Sequence, residues 1–165
     1  SLALSDDKVS AYKKFANKIW NVTRFVLSTA EGLGPKGEVI EGTKVVQFEP
    51  EFNNFSEEDK KHIDELDNII KDITADMDNF RFYIASEKIY HYIWHNFADL
   101  ILEESKKVMS SGNEHDILSR KQTLLHILTK SMKVLHPFMP FVTEEIWSSL
   151  PISNKKLLIV EKWPV

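Results

Sequence analysis

Apolar residues return along most of this chain at intervals of three and four, the period of a helix with one buried face. Val9, Tyr12, Ala16, Ile19, Trp20, Thr23, Val26, Leu27 and Ala30 make the first such stripe, with Ser5 as its N-cap. Ser56 opens a second helix, its first turn filled by Glu57, Glu58 and Asp59, where the helix dipole favours acids. Its core stripe is Ile63, Leu66, Ile69, Ile70, Ile73 and Met77, and a break follows near Asn79-Phe80. A third helix runs to about Met109, with Ala85, Ile89, Tyr92, Ile93, Leu100 and Ile101 turned inward. SSGNEHD reads as a turn, and Ile117, Leu124, Leu125, Leu128, Met132 and Leu135 mark the helix after it.

The stretch from His136 to Trp147, HPFMPFVTEEIW, then joins two helices. Pro137 stops the incoming helix because its ring lacks an amide donor and crowds the preceding turn. Pro140 suits the first turn of the next one, with Glu144 and Glu145 near its positive end. Phe138, Met139, Phe141, Ile146 and Trp147 are expected to pack into this corner. Residues 31–55 hold four of the five glycines and two of the six prolines, and read as one long loop with a short extended piece at Lys44–Phe48. The end, KKLLIVEKWPV, reads as a short extended tail. The pattern predicts an all-α fold: a bundle of four to five helices, one long loop and that tail, forming one domain over 1–165.

Composition narrows the class. A hydrophobic share of 42% with 28% charged residues is that of a globular chain. Without cysteine there are no disulfides or thiolate metal sites, which fits a cytoplasmic setting. No apolar run approaches the roughly 20 residues that span a bilayer, and the start lacks the features of a secretory signal, so no membrane role is expected. The net charge of −4 speaks against a simple polyanion binder, but its distribution does not. Between Lys8 and Ala30 there are four lysines and one arginine with no acid, while Glu49–Glu104 holds 15 acids against five bases. A molecule so polarised turns its first helix towards a polyanion.

No catalytic constellation is present: there is no glycine-rich phosphate loop and no nucleophile elbow. His91, His95 and Asp99 fall one helical turn apart, the spacing of a possible metal face. The metalloprotease pattern fails at Tyr92, however, and we expect no metal, cofactor or catalytic residue here. His62, His115 and His126 stand alone in the sequence. The polar stripe of the first helix is the better candidate. Ser10, Lys14, Asn17, Asn21, Arg24 and Ser28 share one sector of the helix at 100° per residue. Lys14 and Arg24 can neutralise phosphate, Asn17 and Asn21 can exchange hydrogen bonds with base edges, and Phe25 beside them can stack on a base. Unpaired RNA loops are read by this mixture of groups. A protein-binding face of a helical interaction module is the competing reading.

Three segments resemble one family in order. They are NKIWNVTRFVL (Asn17–Leu27), FRFYIASEKIYHYIWHNFADLILEESK (Phe80–Lys106) and HPFMPFVTEEIW. All are similar to the anticodon-binding domain of class I aminoacyl-tRNA synthetases in its valyl branch, with the isoleucyl and leucyl branches as alternatives. Ala98 and Leu100 depart from the cysteine and aromatic residue usual there. The resemblance implies a non-catalytic helical domain of a larger valine–tRNA ligase, docking the anticodon arm of valine tRNA. It further implies a monomer and a catalytic domain in the same polypeptide, which uses ATP and Mg²⁺. The resemblance places Asn17, Lys18, Asn21, Arg24 and Phe25 in the motif nearest the anticodon, and with Lys14 from the polar stripe these are the expected RNA-binding residues.

Overall fold

The computed structural model describes residues 6–33, 52–152 and 155–165. Ser5 and the Lys44–Phe48 segment lie outside them. The helices are α1 (Asp6–Thr29), α2 (Glu57–Asp78), α3 (Phe82–His91), α4 (Leu102–Ser111), α5 (Glu114–Leu135) and α6 (Pro140–Ser149). A π-helical stretch, Tyr92–Ile101, joins α3 to α4 without interruption, so the described residues form five helical rods. Among the described residues there is no strand ladder, and the all-α bundle stands. No described helix is long and apolar enough to cross a membrane.

Local chemistry sets the helix ends. The Ser56 side chain accepts from the Asp59 amide at 3.2 Å, and Asn113 accepts from the Asp116 amide at 2.9 Å. Both occupy orphaned donors of a first turn. Between α2 and α3 the chain turns through Phe80, whose φ of 58° puts a bulky residue in the left-handed region. Its ring is 80% exposed and returns little burial. Phe80→Gly is therefore expected to raise the unfolding free energy by about 1 kcal/mol, read by urea denaturation. A loss of stability would mean that the Phe80–Phe82 edge contact at 6.0 Å outweighs the strain.

α5 is the central rod. Ser119, Arg120, Lys121, Gln122, Thr123, Leu124 and Leu125 are buried without a break, so it has no solvent face over these two turns. Pairings fix the directions of the others. Phe15 meets Tyr90 (centroids 4.2 Å apart) and Lys18 meets Asp99 (2.7 Å), so α1 runs parallel to the long α3–α4 rod. Lys88 meets Asp76 (2.6 Å) and His62 meets Glu104 (2.9 Å), so α2 runs antiparallel to it. The C-terminal ends of α1 and α4 and the N-terminal ends of α2 and α5 therefore share one end of the bundle.

Several expectations need correction. Val9 and Tyr12 are exposed, and Phe15 takes the inward place at the start of α1, where it packs on Tyr90 and Trp94. Leu100 faces solvent while Phe97, Ala98 and Ile101 are buried. The π stretch is the cause: Leu102 N–H reaches back five residues to the Phe97 carbonyl, and the wider turn shifts the register away from 3.6. At the corner, Phe141 is 86% exposed, whereas Met139, Ile146 and Trp147 are buried as expected. His136 Nδ1 lies 2.8 Å from Thr143 Oγ1 and closes the joint. Glu144 and Glu145 lie beyond the first turn of α6, which holds no acid; the Glu144 carboxylate instead accepts from the Leu158 and Ile159 amides and pins the tail. That tail is not wholly extended, since Leu158–Val160 forms a 3-10 turn, and its Trp163 indole donates to Thr74 Oγ1 at 2.8 Å.

Candidate nucleic-acid interface

Running along α1 towards the end where it and α4 finish, the exposed side carries Lys14, Asn17, Asn21 and Arg24, all open to solvent. Arg24 Nη1 donates to Asn21 Oδ1 at 3.0 Å, which holds amide and guanidinium side by side. The opposite face of the helix is committed to the core through Phe15, Ile19, Val22, Thr23 and Val26. The polar stripe is thus an exposed face of α1, whose first turns, Asp6 to Lys14, are open to solvent on every side.

Lys18 and Phe25 sit at the edge of the stripe, turned towards the long rod. The Lys18 ammonium is bonded to Asp99 at 2.7 Å and lies 4.9 Å from the centroid of the Trp94 ring. Phe25 is half-buried, one wall of a cavity of about 340 Å³ completed by Thr29, Lys106, Met109 and Ser110. Aromatic ring and thioether thus meet at one opening beside Lys106, whose ammonium is bonded to Glu103 at 2.6 Å, and the opening suits a flat apolar ring. Lys106, Met109 and Ser110 were not singled out in the sequence. They belong to another helix, 81 residues and more from Phe25, and only the parallel packing of α1 and α4 brings them there.

The possible metal face does not assemble. The His91 and His95 rings lie 4.6 Å apart, but Asp99 is taken by Lys18, and His95 Nδ1 stands 3.6 Å from it. Nor do His62, His115 and His126 stand alone. His62 pairs with Glu104, and His115 contacts Asn54 and Asp116. His126 packs on Phe55, and burial pulls its pKa down to about 4, so it is neutral at pH 7.

Comparison with known proteins bears on this geometry. A family model described as the anticodon-binding domain of tRNA ligase matches residues 59–165. The valine–tRNA ligase of Thermotoga maritima is 38% identical over 154 residues, covering 93% of this chain and 16% of that protein. Those of Laribacter hongkongensis (33% over 162 residues, 96% of this chain and 16% of the relative) and Pseudothermotoga lettingae (31% over 163 residues, 99% and 17%) are also similar. The chain spans about a sixth of the length of these relatives. An all-α bundle whose matched region contains the long rod, the central helix and the proline corner is a member of the family of anticodon-binding domains of tRNA ligases.

Proposed function

We propose that this chain docks the anticodon arm of valine tRNA as the anticodon-binding part of a cytoplasmic valine–tRNA ligase. The observation that carries the reading is the juxtaposition of the exposed Lys14–Asn17–Asn21–Arg24 stripe with the cavity walled by Phe25 and Met109. In this reading Lys14 and Arg24 neutralise backbone phosphates, and Asn17 and Asn21 offer paired donors and acceptors to base edges. Phe25 supplies a stacking face for an unpaired base, and Lys106 stands beside it with its charge shared with Glu103. Lys18 acts from the edge, its charge shared with Asp99.

Attachment of valine belongs to the catalytic domain of the same polypeptide, which uses ATP and Mg²⁺. This sequence has no glycine-rich loop to cradle a triphosphate, and we assign it no step of that reaction. The protein acts as a monomer with respect to tRNA.

Titration with valine tRNA and a non-cognate tRNA at two salt concentrations tests the reading. Arg24→Ala is expected to weaken binding several-fold and to flatten the dependence of affinity on salt by about one phosphate contact, with helical circular dichroism unchanged. Binding that is insensitive to salt and to Arg24 would count against RNA docking. Capture of a protein partner that survives nuclease treatment would favour an interaction module.

A further inference from the structure

Outside the proposed RNA surface, three metal-ligating side chains from two rods come together. Glu58 and His62 lie one turn apart on α2, and Glu104 projects from α4. One donor atom from each lies within 4.8 Å of the other two, and His62 Nε2 is 2.9 Å from Glu104 Oε2. The geometry points to a site for one zinc-like divalent cation held by Glu58, His62 and Glu104, with a fourth position left for water.

Coordination chemistry supports this choice of cation. Zinc bonds of about 2.0–2.2 Å to imidazole nitrogen and carboxylate oxygen imply tetrahedral edges of roughly 3.3 Å. The His62–Glu104 contact needs to open by only a few tenths of an ångström. Glu58 can close the third edge, because its side chain is 61% exposed and can swing. Its other contact is a 3.6 Å approach to the Arg120 guanidinium, which already binds Asp59 at 2.6 Å and loses little when Glu58 turns away. The local charge also invites a cation. Glu58, Asp59 and Asp116 outnumber Arg120 and Lys107 around the adjoining cavity, and Glu104 adds a further carboxylate beside His62. An imidazole with only two carboxylates suits zinc or its transition-metal neighbours better than calcium or magnesium, which require more oxygen ligands.

The test uses the chain stripped with a chelator and titrated with Zn²⁺ against a chromophoric competitor, with Co²⁺ as a spectroscopic stand-in. One equivalent should bind, raise the melting temperature and give the intense visible bands of four-coordinate cobalt. His62→Gln and Glu104→Gln, each checked for intact helical content, should weaken binding more than about tenfold. His95→Asn should leave it unchanged. Failure to bind an equivalent of Zn²⁺, or binding lost in His95→Asn but kept in His62→Gln, would overturn the assignment. The second outcome would place the metal at His91 and His95.

Discussion

Arg120→Met is expected to lower the unfolding free energy by about 3–5 kcal/mol, the cost of stranding one partner of a buried ion pair. Arg120 is 1% exposed, and Asp59 is equally buried. Its Nε donates to Asp59 Oδ1 at 2.6 Å, and its Nη1 donates to Ser105 Oγ at 3.1 Å. Ser119 Oγ donates to the other Asp59 oxygen at 2.6 Å and itself accepts the Ser56 amide at 2.7 Å. The network therefore ties the N-cap of α2 to the central helix and, through Ser105, to α4. Methionine fills much of the arginine's volume, so the loss measures the abandoned carboxylate more than a cavity. Pairing the change with Asp59→Asn should recover part of it, since the charge is then removed from both sides. Urea denaturation of the two single variants and the double variant measures the coupling. A loss below about 1 kcal/mol for Arg120→Met would show that water or a neighbour re-solvates Asp59.

This network was not legible in the sequence, and the reason lies in the position of α5. Periodicity assigns polar residues to solvent, which holds for a rod on the surface of a bundle. Read that way, polar Ser119, Arg120, Lys121 and Gln122 are left to water, although four consecutive residues point almost all round a helix. α5 instead has neighbours all round, so those side chains are buried and take partners far away in sequence: Asp59 for Arg120, and the Glu31 carbonyl for Lys121 at 3.1 Å. α2 lies at the surface, and there the same reasoning succeeded for Leu66, Ile70 and Ile73 and for the Ser56 cap. The π stretch failed for a different reason. A five-residue hydrogen-bond step moves Leu100 outward, and a reading at a fixed 100° per residue has no means to register it.

The candidate site divides in the same way. Lys14, Asn17, Asn21 and Arg24 share one helix face, so spacing alone grouped them. The Phe25 cavity joins two helices, and its Lys106 and Met109 wall depends on packing directions that the pattern does not encode. Local periodicity groups the charged stripe and sets Phe25 beside it, and tertiary packing adds the Lys106 and Met109 wall.

That division sets the second large expected effect. Phe25→Leu should weaken valine-tRNA binding by about 5- to 150-fold, corresponding to the 1–3 kcal/mol of one base–aromatic stack. Leucine is chosen over alanine because Phe25 also packs against the core, and an apolar residue of similar bulk should cost less than about 1.5 kcal/mol in stability. The two contributions then separate by salt. A stacking face carries no charge, so the slope of log affinity against log salt should stay as in the parent chain, while Arg24→Ala shifts it. The measurement is a binding isotherm at several salt concentrations for each variant, with urea denaturation as the control for folding. If Phe25→Leu binds like the unaltered chain while remaining folded, the ring is a core residue and the cavity beside Met109 plays no part in RNA docking. If its affinity falls together with the salt slope, the substitution has displaced the charged stripe, and Phe25 acts by positioning α1.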